Sequence, residues 1–197
     1  MKKAVLASGN AHKVYEIGLI LKDFDLELQT MKDAGFEGDI EENGITFEEN
    51  SLIKAQAVMD ALDVEVTIAD DSGLEVDALK GAPGVYSARY AGPACDNQAN
   101  NDKLLEALKD LPLEARTATF VTVITYLFST GEKIVARGEV KGHIGFEHKG
   151  KNGFGYDPLF IVLGKDKTYA EMNDTEKSQL SHRAEALKIL KAELLKR

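Results

Sequence analysis

Apolar residues along this chain switch between a helical and an alternating period, and each switch marks an element. Ala4-Val5-Leu6-Ala7 is a short apolar run, after which Val14, Ile17 and Leu21 recur at helical spacing. That order predicts strand, tight turn, helix, with Gly9 in the turn and Asn10 as the N-cap. Leu26 to Thr30 alternates as a half-buried strand, and the acidic, glycine-containing stretch from Asp33 to Gly44 reads as a loop. Thr46-Phe47-Glu48-Glu49 has the form of a capping box. It opens a helix to about Leu62, striped by Leu52, Ala55, Met59 and Leu62, with Lys54 off the stripe.

Val66-Thr67-Ile68-Ala69 then reads as a strand that stops at Asp70-Asp71-Ser72-Gly73, with Leu74 to Leu79 as a separate strand after the turn. Gly81-Ala82-Pro83-Gly84 turns the chain before Tyr86 to Tyr90, where Arg89 is a candidate phosphate or interface residue. Asp96 caps a helix carrying Leu104, Leu105 and Leu108, which Pro112 ends. Thr117 to Phe128 is the longest β-rich run. A turn at Ser129 to Glu132 lets Lys133 to Val140 pair back as a hairpin, so part of the sheet is antiparallel. Gly150 to Pro158 sets three glycines around Phe154, directly before the strand Leu159 to Val162. Asp174 to Lys177 opens a short helical turn, and Ser181-His182-Arg183 starts a final helix striped by Leu187, Leu190 and Leu194.

Several of these junctions carry chemistry. A short apolar run bounded by a turn suits a strand covered on both faces, and α/β sheets place ligands beyond such strand ends. Adjacent carboxylates there serve as ligands for a hard cation such as Mg²⁺, or as a base beside one, although Asp, Ser and Gly are also ordinary turn residues. Glu41 and Glu42 precede a helix, where acids either bind metal or match the helix dipole. Ser8-Gly9-Asn10 with Lys13 forms an anion site at a helix start, suited to triphosphate but without the spacing of a Walker A loop. A plain capped helix explains the same residues. The glycines around Phe154 let a ring and backbone amides approach a flat ligand. His182 and Arg183 stand where a helix N-terminus faces either a ligand or solvent.

Composition narrows the class. The chain has 197 residues, 44% hydrophobic and 29% charged, which predicts one soluble globular domain over residues 1–197. Cys95 is the single cysteine, so no internal disulfide forms, and no signal-like or membrane-spanning apolar run is present; a cytoplasmic location is expected. A net charge of −9 argues against nucleic-acid and membrane surfaces. An anionic ligand must be met by a few local cations or a metal.

Taken together, six blocks in order resemble the Ham1-type inosine triphosphate pyrophosphatase family, from Ser8 to about Leu187. They are Ser8-Gly9-Asn10 with Lys13, Glu42 to Asn50 with Lys54, Ala69 to Leu74, Gly81 to Gly84, Phe154 to Asp157, and Glu176-Lys177 leading to Ser181-His182-Arg183. Asn43 and Ser51 depart from the family's usual Thr and Ala, neither at a charged position. The resemblance implies an α/β fold, an elongated, curved mixed sheet flanked by helices, with two lobes and a central cleft, in a homodimer. It implies hydrolysis of non-standard purine triphosphates (ITP, dITP or XTP) to the monophosphate and pyrophosphate, with Mg²⁺ as cofactor.

Residue roles follow from the same resemblance. Asp71 is the expected base, and Glu42 and Asp71 the metal positions, with Asp70 and Glu41 as neighbours that sequence does not separate from them. Ser8, Gly9, Asn10, Ala11, His12, Lys13, Lys54 and Ser72 are expected to hold the triphosphate. Phe154 is expected to stack on the purine from a loop shared with Gly155 and Tyr156, while Asp157, Lys177, His182 and Arg183 border the base. Hypoxanthine and xanthine present a 6-oxo acceptor where adenine presents a donor. A donor left unmatched costs about 1 to 3 kcal/mol, or roughly tenfold to hundredfold per contact. Two other readings are a Maf-type pyrophosphatase acting on dTTP, UTP or modified nucleotides, and a non-catalytic nucleotide-binding protein.

Overall fold

The structure is a computed structural model that describes residues 2–8, 14, 17–18, 21 and 24–197, Asp174 by its backbone alone. Its strands are β1 (Lys2–Leu6), β2 (Leu26–Thr30), β3 (Val66–Val76), β4 (Thr117–Phe128), β5 (Lys133–Ile144) and β6 (Phe160–Val162). Its named helices are α1 (Phe47–Ala61), α2 (Asn97–Ala107), α3 (Asp174–Leu180) and α4 (His182–Leu194). Val14, Ile17, Gly18 and Leu21 are helical too. The strands form one six-stranded sheet in the order β2-β1-β3-β4-β5-β6. β1 runs parallel to β2 and β3, whereas β6 is antiparallel to β5, so the sheet is mixed. The short link from Phe128 to Lys133 forbids a crossover and makes β4 and β5 a hairpin.

The chain folds into two compact units. The first comprises Met1–Asp71, Thr122–Gly138 and Glu185–Arg197. Its strands alternate strictly between two covered faces. Ala4, Leu6, Val66, Ile68, Ile124 and Tyr126 pack with Ile17, Leu21, Leu187 and Leu190 on one face. Val5, Ala7, Ala69 and Leu127 pack with Ala55 and Val58 of α1 on the other. Burial on both sides explains why Ala4 to Ala7 is apolar throughout instead of alternating. Helix α1 starts as its sequence predicts: Thr46 Oγ1 accepts from the Glu49 amide, and the Glu49 carboxylate returns to the Thr46 amide.

The second unit comprises Ser72–Val121 and Glu139–Ala184. Its core joins Leu74, Val76, Leu104, Leu108, Phe120, Phe160 and Tyr169. Asp96 caps α2 by accepting from the Gln98 and Ala99 amides, as expected.

The largest departure from the sequence reading lies in β3. Val66 to Val76 is one unbroken strand through Asp70-Asp71-Ser72-Gly73, not two strands separated by a turn. Intrinsic strand preferences span only about 1 kcal/mol. Burying Leu74 and Val76, both at 0% exposure, is worth roughly 1.5 to 3 kcal/mol each, and they reach the core only if the strand continues. β4, twelve residues long, supplies a neighbour along its edge. The acids therefore sit in the middle of a strand. Three smaller differences concern ends. Asp77–Leu79 is a 3-10 turn, α2 stops at Ala107 a turn before Pro112, and β5 continues past Val140 to Ile144.

Candidate active site

Strand parity decides what each acid of β3 faces. Thr67 Oγ1 donates to the Ala55 carbonyl of α1 at 2.9 Å, and Ala69 packs on the same face, so Asp71 faces α1 as well. Asp70, one residue away, projects to the opposite face of the strand and is buried. On the α1 face, Lys54 Nζ lies 2.7 Å from Glu42 Oε2 and 3.3 Å from Asp71 Oδ1. Burial lowers the Lys54 pKa, but the charge of Asp71, the hydrogen bond and charge of Glu42, and Asp70 together raise it above its ordinary value. The ammonium stays charged and holds the two carboxylates about one point.

Glu42 reaches that point because its loop is pinned to the helix behind it. The Gly44 amide donates to Asn50 Oδ1 at 2.8 Å, and a Cβ at Gly44 would stand 2.7 Å from the same oxygen. A side chain at Gly44 would break this contact. Glu41, in the same loop, is exposed. Among the described residues no group of three or more His, Cys, Asp or Glu is arranged to hold a metal by itself. Two carboxylate oxygens converging on one cation fit Mg²⁺, which commonly takes one or two carboxylates and draws its remaining ligands from water and substrate phosphates. Ser8 is half-buried just beyond β1; Gly9, Asn10, Ala11, His12 and Lys13 lie outside the described residues.

A second set of expected residues comes together in the second unit, around a cavity of about 120 Å³. Ser72, Phe154, Asp157, Lys177, His182 and Arg183 line it, joined by Gly155 and Tyr156 of the same loop. Asp157 organises one wall. Its Oδ2 accepts from the Phe154 amide at 2.7 Å and from Lys177 Nζ at 2.5 Å. Gly153 has φ +76° and no room for a side chain, because a Cβ would collide with that Oδ2. Burial pushes the Asp157 carboxyl above the usual carboxylate range, although Lys177, the Phe154 amide and Arg183 pull the other way. Lys177 Nζ also lies 5.2 Å from the Phe154 ring centroid. That ring is 42% exposed, a flat apolar face open to a ligand.

The start of α4 also lines the cavity. His182 and Arg183 are 6% and 3% exposed, so they are not solvent residues of a first turn. His182 stacks on Phe120, and the Arg183 guanidinium lies 3.5 Å from Ser72 Oγ. Ser181 Oγ accepts from the Ala184 amide and sets the helix start that aims both side chains.

A cation beside two carboxylates suits a polyphosphate and its metal, and a flat ring beside buried donors suits a base. The profile of the Ham1 family matches residues 4–193. This chain belongs to the Ham1 family. It is 51% identical to a dITP/XTP pyrophosphatase of Clostridium perfringens, covering 98% of each chain. To a dITP/XTP pyrophosphatase of Bacillus subtilis it is 48% identical, covering 96% of each. The solved Ham1 protein of Staphylococcus aureus superposes with a TM-score of 0.90 at 43% identity, 98% of each chain being covered. That of Coxiella burnetii gives 0.91 at 38% identity over the full length of both.

Within this Ham1-family chain, sequence reasoning missed Ser87, Asn97 and Phe120, which also line the cavity. Phe120 reads as one more apolar residue of a long strand, and Ser87 as one more turn residue. Neither carries a local signal for a site.

Proposed function

We propose that this chain hydrolyses non-standard purine triphosphates, ITP, dITP and XTP, to the monophosphate and pyrophosphate, and so clears deaminated purines from the precursor pool. The observation that carries the reading is the cavity itself, where one exposed ring and three cationic or imidazole side chains converge on a volume lined by buried groups. Phe154 stacks on the purine. Arg183, His182 and Lys177 supply donors to a 6-oxo group, which the 6-amino group of adenine, itself a donor, does not match.

Water attacks the α-phosphorus in line with the bond to the bridging oxygen, that bond breaks, and the electron pair leaves with pyrophosphate. Asp71 takes the proton of the attacking water. Lys54, 3.3 Å from Asp71, adjoins the polyphosphate, with Ser72 and the segment Ser8 to Lys13 as further contacts. Glu42 and Asp71 would hold Mg²⁺, which supplies positive charge to the triphosphate and acidifies bound water. A homodimer and a cytoplasmic location belong to the same reading; among the described residues no helix is long and apolar enough to cross a membrane. Family membership leaves the Maf-type and non-catalytic readings without support.

Pyrophosphate release measured on ITP, dITP, XTP, ATP, GTP, dTTP and UTP tests the proposal. Turnover of the first three should exceed that of ATP and dTTP by at least about a hundredfold. Equal turnover of dTTP and ITP would overturn it.

A further inference from the structure

We propose that Ser87 is a positioning residue for base discrimination, tying the strand that carries Ser72 to the loop that carries Phe154 and Asp157. The inference rests on the base-reading role proposed for the cavity, which Ser87 lines.

Ser87 sits in the 3-10 turn Gly84–Arg89 and is 6% exposed. Among the described residues, β1 accompanies β3 from Val66 to Ile68. Farther along β3, the segment from Ala82 to Ser87 takes over: the Val76 amide donates to the Ala82 carbonyl at 3.2 Å, and the Leu74 amide donates to Ser87 Oγ at 2.8 Å. The same hydroxyl donates to the Gly84 carbonyl at 2.6 Å, so its one proton is committed and it meets the Leu74 amide as an acceptor. A side-chain hydroxyl thus takes the place of a backbone carbonyl beside the strand. Without it the buried Leu74 amide loses its acceptor, and the tie of this edge nearest Ser72 is gone, leaving the one at Val76.

The backbone of Ser87 makes the other half of the connection. Its carbonyl accepts from the Tyr156 hydroxyl at 2.8 Å. Tyr156 is 4% exposed, and burial, with Tyr90 nearby, drives its pKa well above the ordinary tyrosine value, so it remains a donor at any working pH. Tyr156 lies between Phe154 and Asp157 on one side and the core on the other, and its single hydroxyl bond fixes how far that loop stands from Ser87. Ser87 therefore sets the width of the cavity without needing to touch the purine. A residue present only to fill space would need neither of these bonds.

Kinetics on Ser87→Ala, Tyr156→Phe and the double variant test this, with thermal melting to show that each is folded at the assay temperature. Each single change should lower the ITP-to-ATP ratio of kcat/KM by about five- to twentyfold, mainly through a higher KM for ITP. The double variant should lose less than the product of the two, because both loosen the same residue, one through its hydroxyl and the other through its carbonyl. Ser87→Thr, which keeps the hydroxyl, should restore most of the ratio. If Ser87→Ala does not fold, Tyr156→Phe, which removes a single oxygen, carries the test with Ser87→Thr. An unchanged ratio in the folded single variants overturns the proposal, and so do losses that multiply fully. A parent protein that releases no pyrophosphate from ITP defeats the functional reading, and this one with it; an active parent with an unmoved ratio defeats the role of Ser87 alone.

Discussion

The His182 imidazole lies flat on the Phe120 ring, with centroids 4.7 Å and planes 8° apart. Phe120 is itself held edge-on by Phe160 at 4.7 Å, so the imidazole rests on an aromatic stack and has one orientation relative to the cavity. His182→Ala and Arg183→Ala should each reduce ITP hydrolysis by roughly tenfold to hundredfold, while inhibition by free tripolyphosphate changes little. The preference for ITP over ATP should shrink with them. If both variants keep the parent ratio of catalytic efficiencies, these residues do not read the base. Phe120→Leu offers a milder version, expected to loosen His182 without removing it.

Asp71 and Asp70 are neighbours in sequence but project to opposite faces of β3, and Asp71 Oδ1 lies 3.3 Å from Lys54 Nζ. Asp71→Asn should lower turnover by about 10² to 10⁴ while melting within a few degrees of the parent. Asp70→Asn is expected to lose less at saturating Mg²⁺. Equal losses, both rescued by extra metal, would mean that the two acids merely hold a cation.

Removal of divalent metal bears on Glu42. Exhaustive EDTA treatment should abolish ITP hydrolysis, with Mg²⁺ restoring it, and Glu42→Gln should raise the Mg²⁺ concentration needed for half-maximal rate by about tenfold or more. Full turnover in EDTA would sink the metal assignment.

Lys54 offers a test by pH. Its folded pKa is raised above the ordinary 10.5, so its ionised form is favoured by folding. The stability this provides is fully present below the ordinary value and is lost as pH rises through the folded one. The difference in unfolding free energy between the parent and Lys54→Met should therefore stay constant from about pH 7 to 9 and narrow only above about pH 10.5. Urea unfolding at several pH values measures it. A gap that closes between pH 7 and 9 would mean that Lys54 is not held charged by Glu42 and Asp71.

What the sequence by itself determined is local. The capping box at Thr46 and Glu49, the Asp96 cap, the strand from Ala4 and the final helix beginning at His182 are set by residues a few positions apart, and all stand where their patterns place them. The residues singled out for chemistry stood out because charge, hydroxyl and glycine gather at the junctions between elements. Tertiary structure decided the rest. Asp70 to Gly73 has the composition of a turn, yet burial of Leu74 and Val76 beyond it draws these residues into one strand. That strand's parity, invisible until α1 packs against it, turns Asp71 toward the helix that carries Lys54. Ser87 meets Tyr156, 69 positions away, and Phe120 meets His182, far along the chain, only when the chain is folded. Local preferences of about 1 kcal/mol can choose an element, but which side chains meet is fixed by burial worth several times as much, summed over residues that the chain brings together only when folded.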